Sequence, residues 1–366
     1  MNLILVKLIA LFALLIVLMK LKLNLSQSMA VTIAAAFLLY GFGLNGSLTL
    51  LKDATFTWGT FSLVATVYSI FVIQGLLEQR GELKKAQENL SALFNNKRIN
   101  ATVAPVFIGL LPSAAAVNIA GEIVKDTVGD ELPDDLLAFI TTFFRHIPES
   151  ILPTYLSIIL MCNLANVSLA SFVLLQIPMS ALCFVLGYLI YARRIPKETG
   201  LPACENRGKE ALGILQHLWS LLLIIVLVLA FGRSVLFSAC VAIAALLAVH
   251  RFRPAELPDI LKKACRWNVL CSTYLIMVFK EVLKASGAAE ELPGALMKIP
   301  VPAFLIFMLL FFLAPFVVGS DATSAMFTVM AFSSIPGAGV PLAVLLQTTM
   351  YTAMQFSPTH ICIHMV

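Results

Sequence analysis

The stretch FFRHIPES, residues 143–150, brings Arg145, His146 and Glu149 together between two apolar runs. A guanidinium presents a planar fork that fits a carboxylate. An imidazole titrates near neutral pH and can pass on a proton. Glu149 can pair with Arg145 or take up a proton itself. Together these groups suit recognition of a small anion linked to proton movement. The competing use is anchorage, with Arg145 and His146 holding a helix end at a membrane interface.

Asp321 raises the same question, as the sole carboxylate of the apolar stretch 300–335. A lone charge in a membrane is costly, and such residues tend to be functional. Asp321 could bind a proton or Na⁺, or cap a helix beginning near Thr323. It lies in APFVVGSDATSAM (314–326), a run of small residues with its counterpart in LLPSAAAVNIAGE (110–122). Pro and Gly break helices there, exposing backbone N–H groups to anions and carbonyls to Na⁺. Pro112, Ser113, Asn118, Arg145, Ser320, Thr323 and Ser324 are therefore the candidate substrate-binding residues. His146, Glu149 and Asp321 are the candidates for proton or cation coupling. Close helix packing is the other use of such small residues. Lys280 and Glu281, inside the apolar segment 269–286, read as a local pair or as a snorkelling lysine.

Apolar segments must position these groups. The chain has 366 residues, 60% hydrophobic and 12% charged, with a mean hydropathy of +0.94. Soluble domains carry about twice that share of charge. The apolar residues come in blocks near the ~20 residues that cross a bilayer core. The expected fold is an all-α polytopic membrane protein with about 11–12 membrane segments, running from 3–19 to 338–356. They include 25–44, 101–120 and 300–320 as single segments. The short pieces 136–149 and 151–166 flank Pro148 and Pro153 and are expected to be discontinuous or re-entrant.

Basic residues cluster in loops 79–100, 193–209 and 251–266, which places those loops in the cytoplasm. The acidic loop 121–135 is expected outside. The +5 formal charge is thus a topology signal and not one for nucleic acid. The seven cysteines form no CxxC pair, so neither a disulfide framework nor a metal site is expected. No HExxH, GxSxG or Walker A motif is present, and no enzyme activity or cofactor is expected.

Two halves of the chain resemble one another. IQGLLEQRGEL (73–83) matches FKEVLKASGAA (279–289), with Gly81 on Gly287. FIGLLPSAAAVN (107–118) matches FFLAPFVVGSDAT (311–323), and LPDDLLAFITTFF (132–144) matches VPLAVLLQTTMYT (340–352). Loop charge makes the halves run in opposite directions, as in many secondary transporters. The expected division is a first transmembrane repeat at 1–192, a cytoplasmic linker at 193–212 and a second repeat at 213–366. The second repeat lacks a counterpart of 151–192, as in a truncated chain.

GLLPSAAA (109–116), FFRHIPES (143–150) and VFKEVLKASGA (278–288) resemble the DUF401 family of uncharacterised prokaryotic integral membrane proteins. The resemblance spans roughly 55–360. It implies kinship with an ion transporter superfamily that includes gluconate, citrate and dicarboxylate permeases. It implies broken elements meeting at an organic anion, with Pro112–Ala116, Arg145, His146 and Glu149 as the functional group. This chain carries SAAA where the family's loop is usually richer in Gly and Pro. The reading that follows is a secondary transporter of a small carboxylate, coupled to H⁺ or Na⁺, in the inner (plasma) membrane. Its partners would be the lipid bilayer and a small anion, without nucleic acid, and a homodimer is left open. The alternative is a non-transporting or truncated protein that binds a partner subunit.

Overall fold

The computed structural model describes residues 3–93, 96–110, 115–129, 132–197 and 206–356. These residues are almost entirely α-helical, and no strand occurs among them. In chain order the first helices are α1 (Leu3–Lys20), α2 (Leu25–Tyr40), α3 (Gly43–Thr55), α4 (Trp58–Gln79) and α5 (Glu82–Leu93). Next come α6 (Lys97–Ile108), α7 (Ala115–Val128), α8 (Asp134–His146), α9 (Leu156–Ala165) and α10 (Leu169–Ile190). They are followed by α11 (Arg207–Leu229), α12 (Val235–Val249), α13 (Leu257–Ala264), α14 (Trp267–Ala285) and α15 (Ala288–Leu296). The last are α16 (Ala303–Leu313), α17 (Pro315–Ser334) and α18 (Val340–Phe356).

Five stretches are long and apolar enough to cross a membrane: α1, α4, 169–194, α11 and α17. Shorter apolar helices are α2, α9, α12 and α16. With almost no polar backbone left outside helices, the chain meets the bilayer's demand that backbone groups be satisfied internally.

Contacts divide the chain into two compact units. The first takes in 1–68, 156–172 and the chain from 265 onward through α18; the second takes in 69–155 and 173–264. Each unit draws on both halves of the sequence. Within the first, Phe12 of α1 packs against Phe279 of α14 and Phe327 of α17, with ring centroids 6.0 and 5.3 Å apart. Within the second, Phe144 of α8 is fully buried and meets Phe184 of α10 at 5.4 Å.

Several expected segments are subdivided. Segment 25–44 is α2, which ends at Tyr40 because Gly41 takes a left-handed conformation (φ 73°), and the chain turns into α3 from Gly43. Segment 101–120 is two helices, since α6 stops at Ile108 and α7 starts at Ala115. The acidic loop at 121–135 is partly helical, with Glu122, Lys125 and Asp126 on α7. The basic loop 79–100 contains all of α5, whose Glu82 accepts a hydrogen bond from His217 Nδ1 on α11 at 2.7 Å. Segment 300–320 ends as α16, and α17 carries the chain on to Ser334.

Two series of elements follow the same order. Helix α4 closes at Gly81 (φ 63°) and α14 at Gly287 (φ 71°). Each glycine N–H bonds the carbonyl three residues back, at Glu78 and Lys284. A short helix then leads to a trio whose members all pack on one another. The trio is α6, α7 and α8 in the second unit, and α16, α17 and α18 in the first. Pro133 precedes α8, and Pro341 lies in the first turn of α18.

Candidate functional site

The two trios carry the residues singled out above. In the second unit, α8 is built for polarity at both ends. Asp134 and Asp135 occupy its first turn and Arg145 and His146 its last, each sign favoured by the helix dipole. Pro148 opens a 3-10 turn, Pro148–Ser150, and ends the helix. Arg145 and His146 are only 5% and 4% exposed. They are inside the protein, which excludes anchorage at an exposed interface.

The geometry assigns the imidazole protons. His146 Nδ1 lies 2.6 Å from the Thr142 carbonyl oxygen, which can only accept, so Nδ1 carries hydrogen. Nε2 lies 2.9 Å from Arg145 Nη1, which can only donate, so Nε2 is the acceptor. His146 is therefore neutral in this arrangement. Glu149 Oε2 is 3.6 Å from the same Nε2, an approach that becomes an ion pair once the ring is protonated. Arg145 and a protonated Nε2 cannot both donate into that space, so protonation would exchange the partner of the ring.

The end of α6 is held against this cluster. Gly109 lies so close to the Arg145 carbonyl that a Cβ at 109 would clash with it. The Tyr155 hydroxyl donates to the Gly109 carbonyl. Ser150 donates to the Ile147 carbonyl and also meets the Ser180 hydroxyl at 2.8 Å. Gly109 and Arg145, 36 residues apart in the chain, are thus brought into direct contact. Pro112 and Ser113 lie outside the described residues, as does the side chain of Asn118.

In the first unit, α17 is broken at Gly319 (φ 77°, ψ 174°). Those angles belong to a region open essentially to glycine alone. Ser320 and the half-buried Asp321 start the helix again. Thr323, Ser324 and Thr328 follow, all fully buried. Their hydroxyls donate inward: Thr323 to the Gly319 carbonyl at 2.7 Å, Ser324 to Met350 Sδ and Thr328 to Met161 Sδ, both at 3.6 Å. Among the described residues no side chain bonds the Asp321 carboxylate.

The facing helix α18 adds residues that the motif reading passed over. Gln347, Tyr351 and Gln355 recur every four positions and are 2%, 6% and 8% exposed. The Gln347 Oε1 and Gln355 Nε2 atoms are buried and have no hydrogen-bond partner. The signal was the spacing: one polar side chain per turn makes a stripe along a helix. Lys280 is half-buried on α14, beside Glu281.

An all-helical chain with five bilayer-length apolar stretches and charged groups held inside is a multi-pass membrane protein. The chain belongs to the family described as protein of unknown function (DUF401), which it matches over residues 4–366. No curated protein matches it.

Proposed function

We propose that the protein is a secondary transporter of a small organic anion, a carboxylate, driven by H⁺ or Na⁺ through alternating access. The observation that carries this reading is the pair of interrupted helix trios, each bearing internal charge. One break sits against Arg145 and the other beside Asp321. Broken helices with polar termini are how transporters hold substrate and coupling ion within a bilayer. The matching trios, each preceded by a glycine in the left-handed region, support an inverted repeat and kinship with the ion transporter superfamily.

In this reading Arg145 attracts the carboxylate and Ser320, Thr323 and Ser324 line the second break. Asp321 explains why a coupling cation is needed. An ionised carboxylate within a membrane is costly, so it must be neutralised by a proton or a cation. Residues Pro112, Ser113 and Asn118 complete the proposed substrate set; His146 and Glu149 exchange a proton beside Arg145. The protein performs no bond chemistry here and uses no prosthetic group. Its setting is the inner (plasma) membrane, as a monomer or a homodimer.

The test is a thermal-shift screen of the detergent-solubilised protein against gluconate, citrate, succinate, lactate and inorganic anions, with and without Na⁺, at two pH values. A ligand of the native state raises apparent stability by about 2.7 kcal/mol at 100 times its Kd. The expected result is a shift for one carboxylate, absent in Arg145→Ala. The absence of a shift for every anion rejects the reading.

A further inference from the structure

We infer that the α12–α13 turn and helix α13, residues 250–264, form a docking surface for the headgroup of an anionic phospholipid. The inference goes beyond the transport reading and does not depend on it.

The surface has a fixed shape. Helices α2, α4 and α14 are closed by glycines with positive φ, but α12 is closed by Arg251, at φ 47°. A side chain is strained in that conformation, and the turn holds it there: the Phe252 N–H bonds the Leu247 carbonyl at 3.2 Å. Arg80, just after α4, braces the turn. Its guanidinium lies 4.0 Å from the Phe252 ring centre. Its Nη2 donates to Glu256 Oε2 at 2.8 Å and to the His250 carbonyl at 3.3 Å. Helix α13 then rests on α4, where Gly75 leaves room for the Ile260 side chain that a Cβ would crowd.

Positive charge is left on the outside. In α13, Ile260 and Ala264 are buried. At 3.6 residues per turn the opposite side is Lys262, flanked by Leu261 and Lys263, all exposed. Arg251 and Arg253 are exposed too, and the ion pair with Arg80 already neutralises Glu256. Asp259 is the only exposed acid of residues 250–264. None of these four cations enters an ion pair among the described residues, whereas Arg80 and Lys85 of the neighbouring basic loop are paired.

Orienting the chain in a membrane needs only charge in the loop. This loop also holds its cations in a braced frame, with Leu261, 42% exposed, beside Lys262. A phospholipid matches both features, its phosphate against the cations and its hydrocarbon against the leucine. The charge pattern puts the turn on the cytoplasmic side, where anionic lipids attract basic segments.

Native mass spectrometry of the full chain in detergent tests the inference. The probes are phosphatidylglycerol, phosphatidylcholine as the neutral lipid, and glycerol phosphate as a headgroup without acyl chains. The expected result is tighter binding of phosphatidylglycerol than of phosphatidylcholine. Lys262→Gln and Arg253→Gln should each weaken it about fivefold, the factor for one cation near an anionic surface. A double variant, Arg193→Gln with Arg194→Gln, removes two exposed cations from another basic loop and should leave the affinity unchanged. Equal weakening in that double variant would show diffuse charge and overturn the surface. Equal binding of phosphatidylcholine overturns it as well. Competition by glycerol phosphate at the same concentration as the lipid would make it a site for a soluble anion instead. All the substituted side chains are exposed, and melting curves check that each variant folds.

Discussion

The two helix breaks differ in how their polar groups are occupied. At Gly109 the surrounding groups are largely tied to one another, Arg145 to His146, His146 to the Thr142 carbonyl and Tyr155 to Gly109, with the buried Thr142 hydroxyl left without a partner. At Gly319 the Thr323 hydroxyl bonds the carbonyl of the break itself, no side chain among the described residues bonds the half-buried Asp321 carboxylate, and on the neighbouring α18 Gln347 Oε1 and Gln355 Nε2 are buried without partners. The difference teaches a division of labour. A tied network fixes the direction of one cation. Open groups in a buried place are a standing cost that an arriving proton, water or ligand relieves.

Substitutions at the two glycines break the comparison most sharply. Gly109→Ala pushes a methyl into the Arg145 backbone, which has no flexible end to swing away. We expect the largest loss here, about 3 kcal/mol, in the upper range for overpacked sites, read as a fall in the melting temperature. Gly319→Ala meets nothing within 4 Å, so its cost is backbone strain alone, about 2 kcal/mol. Equal destabilisation at both sites would show that the breaks do not differ in kind.

Smaller effects sharpen the contrast. Thr323→Val keeps the shape but removes the hydroxyl bond to the Gly319 carbonyl. It should cost about 1 kcal/mol, the usual net worth of one such bond, in the same melting assay. The smallest effect belongs to Glu82 on α5, outside the spanning helices. Burial acts to raise its carboxyl, but hydrogen bonds from His217 and Lys85 outweigh that and hold it below the usual carboxylate range. A lowered folded value means that the stabilisation is present above the unfolded pKa of about 4.3 and fades as pH falls through the folded value. Glu82→Gln should therefore lower the melting temperature at neutral pH and flatten its acid dependence. An unchanged acid limb would remove Glu82 from the account.

The breaks were legible in the sequence because Gly and Pro act locally. Gly319 falls within one small-residue run, and the stop after Ile108 comes just ahead of the other. The buried state of Arg145 and His146 was not decided there, because burial depends on Gly109 and Tyr155 arriving from elsewhere in the chain. Helices α3, α5, α13 and α15 were read as loop or as parts of neighbours; they are short and rich in polar residues, so hydropathy did not separate them. The α18 stripe was missed for another reason. Gln347, Tyr351 and Gln355 are individually ordinary, and they stand out only once packing buries them together.

The same stripe bears on how the chain enters a bilayer. Helix α18 is not among the apolar helices by composition, and in hydrocarbon its unpaired amides would cost several kcal/mol each. Partitioning alone is therefore unfavourable, while the packed protein buries those amides away from lipid. During biogenesis the expected unit of insertion is the α17–α18 hairpin, with the last helix held at the interface until its predecessor is in place.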